Sequence, residues 1–135
     1  MSASVQPSKG EEKLPYLFYG TLKRGGRLNH VLTEPRGCEV ARFRGNATVQ
    51  GLLYMVRGGG FPALRPGNGR VHGELWEGIS EVLQHRLDSI EGHPWIYTRT
   101  RLKTTDGEMV WAYVYQRPVD GYQLIANGNF DVRTP

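Results

Sequence analysis

One acidic residue, Glu91, stands where a carboxylate is unusual. It falls in the last turn of a predicted helix, where the helix dipole disfavours negative charge by about 0.3–1 kcal/mol. It lies four residues beyond Leu87 and eight beyond Leu83, so it also borders the apolar stripe of that helix. Both conditions raise the pKa of a carboxyl group. The position therefore suits a general acid/base, and a frayed, solvated carboxylate is the alternative interpretation.

A glycine-containing stretch, Tyr19, Gly20, Thr21 and Leu22, is the second candidate for chemistry. It follows a short apolar, aromatic run at 14–18, which predicts a strand that ends abruptly in a loop. Because Gly20 has no Cβ, a ligand could approach the backbone, and successive N–H groups could align towards an anion. The same pattern is also that of an ordinary turn, which is glycine's commoner role.

Other chemistry-bearing patterns are absent or weaker. The histidines have no metal-ligand spacing and there is no cysteine pair, so the sequence predicts no metal site. No Gly-x-Ser-x-Gly motif marks a serine nucleophile. Asp88 could pair with Glu91 at i, i+3, but its position on the helical wheel places it towards solvent. Glu74, which alternates with His72 and Trp76 on a predicted strand, is the rival for a buried acid.

The clearest element is a helix that begins at a Ser80 cap and ends at Gly92. An apolar residue recurs at the i, i+4 and i+7 positions of its predicted buried face: Leu83, Leu87 and Ile90. A second, shorter helix is predicted around 28–32. Strands are predicted at 41–43, 47–55 and 70–77, with a turn at 66–69 before the last of them.

Two further strands, at 95–104 and 108–117, flank Asp106 and Gly107, the strongest short hairpin signal in the chain. A two-residue loop there would pair Thr105 with Glu108. Apolar residues occur on both faces of these strands, which favours a closed or strongly curled sheet over a flat one. The tail, 119–135, is predicted to pack over the sheet as a cover.

The composition fits a single soluble domain. The chain has 135 residues with 18 glycines and 8 prolines, which favours many short strands and tight turns. Residues 1–13 are polar and predict a disordered leader, so the domain is expected to span 14–135. The formal charge of +4 comes from dispersed basic residues, which indicates a solvated surface rather than a nucleic-acid site.

Redox and membrane signals are weak. Cys38 is the single cysteine, so no internal disulfide can form, and nothing nearby marks it as a nucleophile. It is interpreted as a structural residue. No apolar run approaches the ~20 residues that cross a bilayer. A reducing, cytoplasmic location is therefore expected.

Several motifs stand in a characteristic order. YGTLKRG at 19–25 is followed by Asn29 and His30, by GELW at 73–76, and by LD-x-IEG-x-P-x-x-Y-x-R at 87–99. Together they resemble the gamma-glutamylcyclotransferase-like superfamily, most closely its gamma-glutamylamine cyclotransferase type. The resemblance runs from about 16 to 115 and includes GNF at 128–130, where Phe130 replaces an expected tryptophan.

The resemblance implies an α+β fold: a small, mixed, partly closed β-barrel of about five to six strands, with one main helix and one or two short flanking helices. It implies Glu91 as the catalytic acid/base. It also implies a cavity in which Tyr19, Gly20, Thr21 and Leu22 bind the α-amino-acid end of a small γ-glutamyl substrate. No cofactor, metal, nucleic acid or membrane is implied.

The expected reaction is cyclisation of a γ-glutamyl amide to 5-oxoproline with release of an amine. Arg24 could add positive charge near the substrate, and Tyr97 and Tyr115 are candidate pocket residues that suit the core equally well. Two alternatives stay open: a non-catalytic module on the same fold that binds a small ligand or partner, and an RNA-associated basic protein. The sequence identifies neither the leaving amine nor the oligomeric state.

Overall fold

The computed structural model describes residues 13–34, 37, 39–56, 58 and 60–132. Its elements, in chain order, are β1 (Tyr16–Phe18), α1 (His30–Thr33), β2 (Arg42–Met55), β3 (Pro62–Glu77), α2 (Glu81–Glu91), β4 (Tyr97–Lys103), β5 (Met109–Tyr115) and β6 (Gln123–Leu124). Within this part of the chain, no helix is long and apolar enough to cross a membrane. Cys38 lies outside the described residues, as does all of the expected leader except Lys13.

One mixed sheet joins the strands in the order β4-β5-β1-β3-β2-β6. β1 runs parallel to β5, and the other neighbouring strands are antiparallel. Val49 of β2 forms an isolated bridge with Thr104, which follows β4, and the Thr105 N–H donates to the Thr48 carbonyl at 2.9 Å. Distant parts of the sheet therefore meet, and the expected α+β fold with a mixed, partly closed barrel is confirmed.

β1 is the central strand and is buried on both faces. Tyr16 and Phe18 point into a hydrophobic cluster shared with α1 and α2, while Leu17 and Tyr19 join a second cluster on the other face of the sheet. A strand with apolar residues at successive positions is typical of such an interior location. The loop that follows β1 therefore starts inside the molecule, between the two clusters.

α2 has the predicted boundaries but not the predicted buried face. The Ser80 hydroxyl accepts a hydrogen bond from the Leu83 N–H at 3.1 Å, and Gly92 ends the helix in the left-handed conformation at φ 67°. Leu83 and Leu87 are fully buried. Ile90, predicted to be buried with them, is instead 41% exposed. The helix ends where the underlying core ends, so its last apolar residue lies at the protein surface.

The predicted turn at 66–69 is wrong, because these residues lie within β3. Gln50 pairs with Arg70 and Leu52 pairs with Arg65, so the four residues form a bulge in the ladder. The bulge packs closely on β2: a Cβ at Gly67 would lie 2.4 Å from the Leu52 Cγ. The glycines at this point therefore indicate close backbone approach rather than a change of strand.

The predicted loop between β4 and β5 is one residue too short. Lys103 pairs with Met109, and the Thr104 N–H donates to the carbonyl of the residue at 108 at 2.8 Å. The loop thus contains three residues and ends with Gly107 at φ 96°. The shifted register pairs Arg99 with Tyr113 and places both side chains on one face of the sheet.

Candidate active site

A cavity of about 250 Å³ opens between the loop after β1 and the C-terminal end of α2. Its lining includes the two stretches that the sequence singles out, the 19–22 loop and Glu91. Pro62 at the start of β3, together with Tyr97 of β4 and Tyr113 of β5, completes the wall between them. The fold thus brings the predicted acid/base and the predicted anion-binding loop to one small, mostly apolar space.

Glu91 is the last residue of α2 and is partly buried against this cavity. Burial raises the pKa of its carboxyl group from an ordinary value of 4.5 to about 7, and the negative charge of Asp88 adds to the rise. Gly92 ends the helix directly after it, with backbone hydrogen bonds from Gly92 to Ser89 and from His93 to Asp88. Glu91 therefore lies at a helix C-terminus whose last turn is capped by backbone hydrogen bonds.

The 19–22 loop is held by its own backbone. The Lys23 N–H donates to the Gly20 carbonyl at 3.1 Å, and the Leu28 N–H donates to the Thr21 carbonyl at 3.0 Å. Within the described part of the chain, the N–H groups of Gly20, Thr21 and Leu22 donate no hydrogen bond. They are therefore available to an anion bound in the cavity.

Gly20 is the position in this loop where a side chain has no room. A Cβ there would lie 2.9 Å from both Cδ and Cγ of Pro62. Pro62 is fixed in turn, because the Tyr97 hydroxyl donates to its carbonyl at 2.8 Å. The glycine lets the loop pack directly against the cavity wall.

Tyr19 is a lining residue of the cavity, and its phenol hydroxyl is bonded within the core. Its hydroxyl donates a 2.6 Å hydrogen bond to the Tyr113 carbonyl and lies 3.4 Å from the Leu64 N–H, which donates to it. Burial raises the pKa of the Tyr19 hydroxyl well above 10.0, so it stays protonated. The side chain therefore anchors the start of the 19–22 loop in the core.

Asp88 is bonded to protein groups, contrary to the expectation that it lies towards solvent. Its Oδ1 accepts hydrogen bonds from the Tyr113 hydroxyl at 2.6 Å and from the Arg99 Nε at 3.1 Å. Its Oδ2 accepts one from the Arg99 guanidinium at 3.3 Å. Burial by itself raises the pKa of Asp88, but these hydrogen bonds outweigh it and the pKa is lowered. Asp88 therefore stays ionised one turn before Glu91.

The two candidate tyrosines occupy different places. Tyr97 lines the cavity, and burial raises the pKa of its hydroxyl far above the ordinary value of 10.0. Tyr115 does not line it: its ring packs edge-on against Tyr97, with centroids 5.1 Å apart, and lies near Tyr122. The structure thus places one tyrosine at the site and the other behind it in the core.

Arg24 is not among the residues that line the cavity, although it was expected to add charge there. Its Nε donates to Glu74 Oε2 at 3.2 Å, its backbone N–H donates to Glu74 Oε1 at 2.9 Å, and its guanidinium lies 3.5 Å from the centre of the Phe43 ring. The Trp76 indole also donates to Glu74. Glu74, the rival acid, is therefore fully engaged by structural partners and is not part of this cavity.

Among the lining residues that the sequence did not predict, two carry polar or charged side chains, Arg27 and Tyr113. Arg27 places a cationic residue at the cavity, three positions after the arginine that was expected there. Tyr113 links the cavity to Asp88 through its hydroxyl and to Tyr19 through its carbonyl. A three-residue hairpin loop, had it been predicted, would have placed Tyr113 beside Arg99.

The described residues contain no group of three or more His, Cys, Asp or Glu side chains placed to hold a metal ion.

A curled mixed sheet whose central strand ends in a glycine loop opposite a helix-end glutamate defines a known class of small domain. The chain belongs to the family described as gamma-glutamyl cyclotransferase, AIG2-like, which matches residues 16–132. The gamma-glutamylcyclotransferase family protein YtfP of Escherichia coli K12 is 34% identical over 113 residues, covering 83% of this chain and 91% of the relative. Rat gamma-glutamylaminecyclotransferase is 35% identical, covering 72% and 73%.

A solved structure supports the same assignment. An AIG2-like protein from Mus musculus superposes with a TM-score of 0.72 at 27% sequence identity, and 91% of each chain is covered. The family and its half-barrel fold are therefore established for this chain.

Proposed function

We propose that this protein converts a γ-glutamyl amide to 5-oxoproline and a free amine, with Glu91 as the acid/base. The observation that carries the proposal is one cavity that holds both a carboxyl group with a pKa of about 7 and a loop with unengaged N–H groups. Family membership supports the reaction class, and the name of the rat relative supports an amide of an amine as the substrate.

The loop provides the binding end of the site. The substrate's α-carboxylate accepts hydrogen bonds from the N–H groups of Gly20, Thr21 and Leu22, as anions do at successive backbone amides. Arg27, which also lines the cavity, adds positive charge for this carboxylate. Because the reaction is intramolecular, the protein's main task is to hold the substrate folded back, with its α-amine near its γ-carbonyl carbon.

Glu91 moves one proton. Its carboxylate removes a proton from the α-amine as the nitrogen attacks the γ-carbonyl carbon and the ring C–N bond forms. The protonated Glu91 then gives the proton to the departing nitrogen as the amide C–N bond breaks. The carboxylate is regenerated, and all atoms of the substrate appear in 5-oxoproline and the amine.

The pKa of Glu91 suits both halves of this cycle. A group with a pKa of about 7 is ionised in a large fraction of molecules at neutral pH, yet its acid form still donates a proton readily. A carboxyl group with an ordinary pKa of 4.5 would be a weaker base and would seldom hold the proton. General acid–base catalysis of this kind contributes about 10²–10⁴-fold to rate.

The direct test is Glu91→Gln, which keeps the size of the side chain and removes its proton transfer. We expect the release of 5-oxoproline, corrected for spontaneous cyclisation, to fall by at least about 10²-fold while the amide still binds. Glu81→Gln is the matched control, because Glu81 is an exposed carboxylate in the first turn of the same helix. Normal turnover by Glu91→Gln would refute the assignment. Binding of γ-glutamyl amides without turnover by the wild-type protein would indicate a binding module instead.

A further inference from the structure

Three large apolar side chains are exposed within the short segment 90–96, which contains Glu91. Ile90 is 41% exposed, Trp95 is 78% exposed and Ile96 is 43% exposed. Ile90 and Ile96 also line the cavity, and Trp95 adjoins Ile96 in the chain. We call these three residues the apolar shelf. Singly exposed apolar residues are ordinary, but two that line a candidate active site, with a third next to one of them in the chain, indicate a binding surface.

The apolar shelf is fixed relative to Glu91. The N–H groups of Trp95 and Ile96 both donate to the Gly92 carbonyl at 2.9 Å. Ile96 packs directly on the helix end, since a Cβ at Gly92 would lie 2.9–3.1 Å from three of its side-chain atoms. The backbone after Glu91 thus forms a tight turn, and this turn holds Trp95 and Ile96 next to the C-terminal end of α2.

We propose that the apolar shelf binds the substituent of the leaving amine, and that the preferred substrates are γ-glutamyl amides of neutral alkyl or aralkyl amines. This inference rests on the proposed function. Proton transfer from Glu91 requires the leaving nitrogen to lie within hydrogen-bond distance of its carboxyl group. The glutamyl end occupies the 19–22 loop, so the group attached to that nitrogen extends past Glu91. Ile90 and Ile96 line the same cavity as Glu91, so we expect this group to contact them.

The charges at the cavity favour a neutral substituent. Among the described residues that line it, the charged side chains are Glu91 and Arg27. Glu91 is occupied by the reacting nitrogens, and Arg27 belongs to the glutamyl end. A second ammonium on the leaving amine would lie over apolar side chains and lose hydration without gaining a carboxylate partner. An alkyl chain of the same length would instead remove apolar surface from water.

A matched pair of substrates tests this preference. γ-Glutamyl-n-pentylamide and γ-glutamyl-5-aminopentylamide have the same chain and differ in a terminal ammonium, and γ-glutamyl-methylamide is the short reference. We expect kcat/KM for the pentylamide to exceed that for each of the other two by roughly tenfold, the discrimination expected of a partly open apolar contact. The release of 5-oxoproline reports all three.

Variants of the shelf identify where the preference arises. Trp95→Ala and Ile90→Thr should lower kcat/KM for the pentylamide by roughly fivefold to tenfold, and should change the methylamide value less than twofold. Val82→Thr is the matched control for Ile90→Thr. Val82 is another branched apolar residue exposed on α2, at 52%, but it does not line the cavity. Both exposed positions tolerate a polar side chain without loss of core packing.

The outcomes separate this inference from the proposed function. Equal kcat/KM for the pentylamide and the aminopentylamide, or a better aminopentylamide, overturns the shelf assignment while leaving the cyclotransferase reaction intact. Equal effects of Ile90→Thr and Val82→Thr overturn it as well. Failure of all three amides to release 5-oxoproline overturns the proposed function and this inference together. A pentyl preference that disappears in the shelf variants supports both.

Discussion

The Tyr113 hydroxyl donates a 2.6 Å hydrogen bond to Asp88, and the Tyr113 carbonyl accepts one of 2.6 Å from the Tyr19 hydroxyl. One residue of β5 is therefore bonded both to the helix that carries Glu91 and to the residue that begins the cavity loop. The 19–22 loop and Glu91 are far apart in the sequence. The two hydrogen bonds of Tyr113 connect the parts of the structure that carry them. The arrangement also keeps the negative charge of Asp88 close to Glu91.

The charge of Asp88 should be visible in the pH dependence of catalysis. The acidic limb of kcat/KM should have its midpoint near pH 7, because protonated Glu91 cannot act as the base. Asp88→Asn removes a nearby negative charge that raises the pKa of Glu91, so the midpoint should move to lower pH. Burial is the larger cause of the raised pKa, so we expect a shift of less than about one pH unit.

Tyr113→Phe is the control for this experiment. It removes the 2.6 Å hydrogen bond that the Tyr113 hydroxyl donates to Asp88 but leaves the charge of Asp88 in place, with Arg99 still bonded to it. The midpoint should then move much less than in Asp88→Asn. Equal shifts in the two variants would show that disturbance of the hydrogen bonds around Asp88, not loss of its charge, changes the pKa of Glu91.

Glu91 should make the protein less stable as the pH rises. Its pKa is higher in the folded protein than its ordinary value of 4.5, so the folded state binds this proton more tightly than the unfolded chain does. That contribution to stability is fully present below pH 4.5 and is lost as the pH rises through about 7. Glu91→Gln has no such loss. Its free energy of unfolding should therefore exceed that of the wild type by about 1–3 kcal/mol at pH 8, and the two should converge near pH 4.5.

Urea unfolding at several pH values measures this difference. Glu81→Gln again serves as the comparison, since the exposed Glu81 is not a cavity residue and should show no comparable pH-dependent gain. If the gap between Glu91→Gln and the wild type is the same at pH 5 and pH 8, Glu91 is not a buried acid with a raised pKa. This result would count against its catalytic role without any assay of activity.

Local signals were sufficient for the parts of the fold that depend on neighbours in sequence. Ser80 and Gly92 mark the ends of α2 because capping is decided within a few residues. The position of Glu91 at that end follows from the same local pattern, whereas the burial that raises its pKa also depends on tertiary packing around the cavity. Apolar residues on both faces of the strands predicted a curled sheet, and the family resemblance implied its mixed, partly closed form.

Long-range register was not accessible in the same way. A two-residue and a three-residue loop around Gly107 are both compatible with the sequence, and a shift of one residue moves every side chain to the other face. The predicted register separated Arg99 from Tyr113, so the network around Asp88 could not be inferred. Likewise, the choice between Arg24 and Arg27 as the cavity arginine depends on the path of a loop, which composition does not determine.

That choice gives a direct comparison of two arginines. Arg27→Ala should raise KM by roughly two- to fivefold, because an exposed charge near a bound carboxylate contributes little more than that. The effect should shrink at high salt. Arg24→Ala should leave KM within about twofold, since its guanidinium is bonded to Glu74 outside the cavity. Steady-state kinetics on one γ-glutamyl amide distinguishes them, and a larger KM for Arg24→Ala than for Arg27→Ala would contradict the structure.

Gly20 should be the position in the loop least tolerant of a side chain. In Gly20→Ala the new Cβ would meet the Pro62 ring at 2.9 Å, and the ring cannot rotate away as a flexible side chain could. Either the loop or the start of β3 must move, which displaces the N–H groups from the bound carboxylate. We expect kcat/KM to fall by about 10–100-fold and the free energy of unfolding by about 1–3 kcal/mol.

Gly45→Ala is the control, because a Cβ at Gly45 meets nothing within 4 Å and its φ is not positive. Should Gly20→Ala keep wild-type kcat/KM, the close contact with Pro62 does not set the geometry of the loop, and binding through its backbone would have to be abandoned.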